Sequence, residues 1–411
     1  MSQPGGPWQD TAVTVILALL RGGGSKLTLG PQVHVGNMSV ACPVTIITGF
    51  LGAGKTTLMR RILTERHGLR IAVIENEFSE DAGVESLILK SGLGGPAADG
   101  FYELANGCLC CTAKDDLVAT LEKLVSRRER FDHVLIETSG LADPGPVAAA
   151  FWGDAGAEPA FSLDGVICVA DAGRICTQLA ARRAAGAVNE AARQVALADV
   201  VLLNKADTLA AGGVEGARAA VRAINGAAYL QACSHAEVEL GALLRLGAYG
   251  ARAEAAEGGK AEGSCCAAEG SGYAGHSHAP GGACRGAHEH DGGITTVLLC
   301  APAPLCKRAF MEWVAGLLWE QSEVPEGAPQ PRRVLRGKGV LHFEEEEGAA
   351  MAPPTKHIFQ SVEAQFDVQH AEGPSAQWAD GEPRESRVIL IGWSLQREAL
   401  QASLLACTAD R

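Results

Sequence analysis

Short apolar runs, mostly of β-branched residues, recur along the first 250 positions, and stretches with helical spacing separate them. Residues 44–48 (Val-Thr-Ile-Ile-Thr) form one such run, which enters a Gly-rich turn and then a helical segment over 57–66. Further runs lie at 70–74, 131–136, 165–170 and 200–203. Each is too short for a buried helix. Nearly continuous apolar strands alternating with helices predict a parallel sheet covered on both faces, the α/β pattern.

This rhythm stops near Gly247. Residues 248–292 are Ala, Gly, Ser, Glu, Cys and His without an apolar period, the composition of a flexible linker. Strand-like runs return at 294–299, 333–336, 340–343, 357–362 and 387–391, with helices predicted over 306–321 and 395–407 and a charged turn at 344–347. Strands mixed with two helices predict a smaller α+β domain. The expected division is an N-terminal extension without structure (1–41), an α/β domain (42–247), a Cys/His-rich linker (248–292) and a C-terminal domain (293–411).

A chain of 411 residues is long enough for two sizeable cores. The net charge of -13, with no basic stripe, argues against a partner held through nucleic-acid phosphates. Thirteen cysteines is an odd number, and many sit beside histidines rather than at framework spacings. Reduced thiols in the cytoplasm fit this better than a disulfide scaffold, and reduced thiols favour metal. No apolar run approaches the roughly 18 residues of a membrane span. The longest, 11–20, could be the core of a targeting peptide, but no Lys or Arg precedes it. An unstructured extension ahead of Met38 explains residues 1–37 equally well, so organellar targeting stays open, and a homo-oligomer is compatible with the composition.

Gly49-Phe-Leu-Gly-Ala-Gly-Lys-Thr56 fits the phosphate-loop pattern and lies between a buried strand and a helix, as that motif requires. Gly49, Gly52, Ala53, Gly54 and Thr57 supply backbone for phosphate oxygens at a helix N-terminus. Lys55 offers a charge for the β- and γ-phosphates, and Thr56 a hydroxyl for Mg²⁺. Asn204-Lys205-Ala206-Asp207 follows the strand at 200–203 and matches the Asn-Lys-x-Asp guanine motif. Asp207 can accept from guanine N1–H and its 2-amino group, Asn204 suits the acceptor edge of the base, and the Lys205 stem can pack on the ring. GTP is therefore the expected nucleotide, with Ser234-His235 a further edge of the base pocket. Glu137-Thr-Ser-Gly140 follows the third strand, which places Glu137 near Mg²⁺ and the Gly140 N–H near the γ-phosphate. Leu141 stands where some small GTPases carry a water-orienting Gln, which implies slow intrinsic hydrolysis.

Cys108-Leu-Cys110-Cys111 puts three thiols within four residues, enough to face one borderline cation such as Zn²⁺ and leave a fourth position open. Glu75, Glu77 and Glu80 are candidates for that position; buried structural thiols or a redox pair are the plainer readings. His276, His278, His288 and His290, with neighbouring cysteines, could hold divalent ions weakly or have no role.

Together these motifs resemble the CobW family of metallochaperone GTPases, especially its YjiA-like branch, from about residue 42 to residue 407. The resemblance rests on 49–58, Ile74-Glu-Asn-Glu-Phe78, Gly107-Cys-Leu-Cys-Cys111, Glu137-Thr-Ser-Gly-Leu-Ala-Asp-Pro144, Val169-Ala-Asp171, Asn204–Asp207, Arg336-Gly-Lys-Gly339 and Phe359-Gln-Ser-Val362. It implies a P-loop NTPase domain of the SIMIBI type and a CobW C-terminal domain. It also implies Zn²⁺ at Cys108, Cys110 and Cys111 with Glu75 and Glu80 beside them, and coupling of GTP hydrolysis to metal transfer into a client metalloprotein. A nickel or cobalt inserter, and a metal buffer built on the linker, are the alternatives. Ser79 replaces a Gly usual in the family, and the Cys-Pro-Glu-Leu-Val-Pro segment of eukaryotic zinc activators is missing, which puts their client in doubt.

Overall fold

The computed structural model describes residues 41–65, 67–75, 101–103, 131–152, 160–181, 188–210, 212–250, 293–319, 331–344, 355–373, 375–379 and 381–408, with Leu117, Leu121 and Leu124. Seven parallel strands form the first sheet: β1 (Cys42–Thr48), β2 (Ile71–Glu75), β3 (Phe101–Glu103), β4 (His133–Glu137), β5 (Phe161–Asp171), β6 (Val200–Asn204) and β7 (Tyr229–Ala232). Their spatial order is β3-β2-β4-β1-β5-β6-β7. Helices α1 (Lys55–Thr64), α2 (Gly145–Ala149), α3 (Ile175–Ala180), α4 (Glu190–Leu197) and α5 (Gly213–Ile224) connect them. Along β1, Val44 and Ile46 pack on one face with Ala192, Ala196 and Leu197 of α4. Ile47 points to the other face, against Leu58, Met59 and Ile62 of α1. Strands apolar on both faces are the signature of a sheet covered twice, so the parallel reading holds.

β5 begins earlier than its apolar run, because Asp164 interrupts the hydrophobic pattern without interrupting the strand. Its carboxylate is buried and fully used: it accepts from the Thr45 hydroxyl at 3.0 Å and from the N–H groups of Leu246 and Gly247 at 2.9 and 2.8 Å. The Thr45 hydroxyl also lies 2.8 Å from His133 Nε2. Its one proton goes to Asp164, so Nε2 donates and His133 is the neutral tautomer with its proton there.

The C-terminal sheet is antiparallel, in the order β11-β10-β9-β12-β8. It comprises β8 (Ile294–Ala301), β9 (Arg333–Leu341), β10 (His357–Val362), β11 (Gln365–His370) and β12 (Ser386–Trp393), packed with α6 (Lys307–Trp319) and α7 (Arg397–Leu405). The sequence predicts two strands at 333–336 and 340–343; the structure makes them one. Gly337 and Gly339 do not turn the chain but let neighbours approach: a Cβ on Gly337 would lie 2.6 Å from Ser361 Oγ, and one on Gly339 2.7 Å from Arg387 O.

One apolar core runs through both sheets. Val44, Phe161 and Leu197 share it with Ile294, Leu335, Val362, Ile391 and Trp393. Beside it, Asp199 accepts from Lys338 Nζ at 2.8 Å, from Arg336, and from Val166 N at 3.0 Å, all three nearly without water. Burial opposes the Asp199 charge, but Arg336 and Lys338 outweigh it and hold its pKa below the usual carboxylate range. Burial likewise holds Lys338 below the usual lysine range, against the pull of Asp199. The segment read as linker opens with packed residues: Ala248 N donates to Asp164 O, and the Tyr249 ring lies under Arg336 (5.2 Å) and Lys338 (5.5 Å). A buried tyrosine face shares the load of two cations on one carboxylate.

Burial pushes His133 down to about 4, against the opposing pull of Asp164. Its folded pKa lies below the unfolded value near 6.5, so the unfolded chain binds the proton first as pH falls. The contribution is whole above pH 6.5 and is lost progressively down to pH 4, on the order of 3 kcal/mol. Urea midpoints measured at pH 7 and pH 4.5 should fall more for the native chain than for His133→Gln; equal falls would remove His133 as the cause.

Candidate functional site

The phosphate loop leaves β1 at the C-terminal edge of the sheet and enters α1 at Lys55. Gly49, Gly52 and Gly54 have φ of 141°, 73° and 110°, which side-chain-bearing residues rarely adopt. At two of them space is also missing: a Cβ on Gly49 would meet Val169 O at 2.0 Å, and one on Gly54 would meet the Asn204 amide at 2.3 Å. Ala53 N donates to Phe50 O at 3.1 Å, closing the turn. Lys55 is buried and donates from Nζ to Gly49 O at 2.9 Å, so the ammonium spans the mouth of its own loop. Thr56 and Thr57 follow in the first turn of the helix.

Asn204 ends β6 buried, with both ends of its amide committed. Nδ2 donates to Ala53 O and Oδ1 accepts from Ala236 N, each at 2.9 Å. Its side chain thereby ties the phosphate loop to the 234–236 loop, a link that the sequence reading, which gave it the acceptor edge of the base, did not contain. Lys205, in the left-handed region at φ 60°, donates to Gly52 O at 2.6 Å and to Asp171 Oδ2 at 2.9 Å. Its ammonium is thus anchored under the phosphate loop while its stem stays partly exposed. Asp207 lies in the 3₁₀ turn Ala206–Thr208, and its N–H donates to Ser234 Oγ at 3.2 Å. The 204–207 and 234–236 segments are therefore one assembly.

Glu137 ends β4, in register with Ile47 of β1, two residues before Gly49. The next residue is pinned there: Thr138 N donates to Ile47 O at 2.9 Å and its hydroxyl to Thr48 Oγ1 at 2.9 Å. Gly140 touches the phosphate loop so closely that a Cβ would lie 2.7 Å from Leu51 N. Behind it, Gln194 of α4 donates to Gly140 O and Ala142 O, both at 3.1 Å. Leu51 and Leu141 are more than half exposed beside one another's loops.

The structure thus brings Gly49, Gly52, Ala53, Gly54, Lys55, Thr56, Thr57, Glu137, Gly140, Asn204, Lys205 and Asp207 to one edge of one sheet. Sequence reasoning gave no role to Asp171 or Gln194. Asp171 carried a signal, since it ends a buried strand; Gln194 carried only its polarity within an Ala-rich stretch.

The metal residues are a different matter. Cys108, Cys110, Cys111 and Glu80 lie outside the described residues, as do His276, His278, His288 and His290; Glu75 closes β2, and its side chain also lies outside. Among the described residues no group of three or more His, Cys, Asp or Glu could hold a metal. Two described thiols near the nucleotide loops are unsuited to that task. Burial pushes Cys168 up to about 12 and Cys233 to about 11, so both stay protonated. Among the described residues no helix is long and apolar enough to cross a membrane.

The fold is that of a P-loop GTPase joined to an antiparallel C-terminal sheet. The chain belongs to the CobW family: residues 43–231 match the CobW/HypB/UreG nucleotide-binding domain, and 294–408 the cobalamin synthesis protein cobW C-terminal domain. It is 31% identical over 362 residues to zinc-regulated GTPase metalloprotein activator 1 of Schizosaccharomyces pombe, an alignment covering 86% of this chain and 83% of that protein. It is 39% identical over 204 residues to zinc chaperone YjiA of Escherichia coli, covering 49% of this chain and 60% of YjiA. The crystal structure of Zn(II)-bound YjiA GTPase from E. coli aligns with a TM-score of 0.57 at 26% identity, over 89% of this chain and 99% of that one.

Gly140→Ala places a methyl group against Leu51 N, so the 137–143 loop must retreat from the phosphate loop. Single-turnover GTP hydrolysis should slow on the order of tenfold, about 1.4 kcal/mol of barrier. Unchanged single-turnover rates would mean that this contact has no part in hydrolysis.

Proposed function

We propose that the chain is a GTP-hydrolysing zinc metallochaperone of the cytoplasm, delivering Zn²⁺ to a client metalloprotein. The observation that carries the nucleotide half is the direct bonding of two loops: Asn204 to Ala53, and Lys205 to Gly52. This bonding sets the base-recognition turn at a fixed distance from the phosphate loop, as a single nucleotide spanning both demands. The zinc half draws on relatives named as a zinc chaperone and a zinc-regulated activator, and on the thiols at 108, 110 and 111.

In this reading Lys55 and the N–H groups around Gly52 and Gly54 hold the phosphates, and Asp207 accepts from the guanine N1–H and 2-amino groups. The Thr56 hydroxyl and the Glu137 carboxylate come from segments that meet at one sheet edge. They are hard oxygen donors of the kind Mg²⁺ takes. When bound, Mg²⁺ neutralises charge on the β- and γ-phosphate oxygens. Gly140 N–H reads the γ-phosphate. Leu141 offers no polar atom to orient water, so hydrolysis without a client is slow. Cys108, Cys110 and Cys111 take zinc as cargo, with Glu75 or Glu80 as an exchangeable oxygen ligand.

Asp207→Asn exchanges two acceptor positions for an amide that donates, so GDP affinity should fall by at least about a hundredfold while xanthosine diphosphate affinity rises. Zn²⁺ isotherms of the native chain and Cys110→Ala, taken without nucleotide, with GDP and with a non-hydrolysable GTP analogue, test the coupling. A tight site whose affinity changes with nucleotide, and which Cys110→Ala removes, is expected. Isotherms that ignore the nucleotide would leave two unrelated sites on one chain and end the chaperone reading.

A further inference from the structure

Two consecutive side chains of α4 lie behind the 137–143 loop and face different partners. Gln194, fully buried, holds the carbonyls of Gly140 and Ala142. Arg193, also buried, donates from Nε to Asp143 Oδ2 at 2.9 Å and from its terminal nitrogen to the same oxygen. That nitrogen also reaches Glu363 Oε1 at 2.5 Å. Glu363 forms the turn between β10 and β11, with φ 53°, and its other oxygen accepts from Arg333 at 2.8 Å. The Trp393 ring lies 5.2 Å from the Arg193 guanidinium and 5.9 Å from that of Arg333. Two carboxylates thus meet two guanidinium groups in a balanced network, spanning the nucleotide domain and the C-terminal sheet.

The network has little slack. A Cβ on Gly145 would lie 2.7 Å from Glu363 Oε1 and 3.2 Å from Asp143 Oδ1. α4 itself is fixed at its start: Asn189 accepts from Ala192 N, and its Nδ2 donates to the carbonyls of Gln178 and Leu179 at the end of α3. Since the helix is anchored, a shift of the Gly140 loop must break or carry the bonds to Gln194 and Arg193. Buried charge-assisted bonds switch between discrete arrangements rather than stretch.

We propose that Gln194 and Arg193 are positioning residues: Gln194 sets the Gly140 N–H against the phosphate loop, and Arg193 passes the nucleotide-dependent position of that loop to the β10–β11 turn. The proposal rests on the guanine-nucleotide reading above. Coupling of this kind is reciprocal in binding, so whatever binds the C-terminal sheet near Glu363 shifts the relative affinities for GTP and GDP in turn.

The test uses the full chain with Mg²⁺, and a fluorescent GDP titration comes first. Failure of the native chain to bind GDP would overturn the nucleotide reading itself. With binding established, hydrogen exchange over 357–370 is compared between GDP and a non-hydrolysable GTP analogue. The native chain should show exchange differing by at least about threefold, and Glu363→Gln should lose that difference while binding GDP within about twofold of native. Gln194→Met, nearly equal in volume but without the N–H donors, should lower kcat about tenfold and move KM less than about twofold. Should Gln194→Met fail to fold, the exchange arm decides alone. A nucleotide-dependent difference that survives Glu363→Gln, no difference in the native chain, or a Gln194→Met defect confined to KM would each overturn the proposal.

Discussion

Asp199 is a carboxylate kept from water at the point where α4 ends and β6 begins, and the molecule is arranged around keeping it charged. Desolvating an ion costs several kcal/mol, and here Arg336, Lys338 and the Val166 N–H together offset that cost. Those partners come from β9 and β5, so satisfying one anion fixes the C-terminal sheet against the nucleotide domain. It also fixes the start of β6, which ends four residues later in Asn204 and the turn bearing Asp207. It fixes the last turn of α4 as well, whose earlier residues hold the Gly140 loop. The geometry of the nucleotide edge is thus inherited from a charge buried at the opposite end of the same strand.

The phosphate loop was legible in the sequence because its requirements are local. A β-branched run, glycines at 49, 52 and 54 and a Lys-Thr pair specify a strand, a left-handed turn and a helix start without reference to distant residues. Glu137-Thr-Ser-Gly140 and Asn204–Asp207 were legible for the same reason, each lying just past a buried strand. What escaped depends on contacts far away in the chain. Gly337 and Gly339 divide β9 into two runs in the sequence because they carry no side chain; their task is to admit Ser361 and the backbone of β12. β3 is three residues long, and β11 is a short edge strand whose alternation rests on two apolar residues, Phe366 and Val368. Arg193 and Gln194 carry no motif, because nothing in their own segment announces a carboxylate 170 positions later. The Asn-Lys-x-Asp motif gives Asn204 as a residue, but not its bonds to Ala53 and Ala236, which depend on loops far apart in the chain.

Nearness to the nucleotide loops does not by itself fit a thiol for metal. Cys168 and Cys233 sit against the nucleotide loops, yet burial keeps them protonated and unavailable to a cation. A thiol that exchanges metal must reach its thiolate and a partner, which a packed strand interior forbids.

The apolar core that Val44, Phe161 and Leu197 share with Leu335, Ile391 and Trp393 has a consequence for how such a chain can diverge. A gene segment encoding either half by itself would yield a protein with a bare greasy wall, prone to clump before it found work. A change on one side of the seam must be answered on the other, so a swap of C-terminal halves between distant lineages should leave few viable offspring.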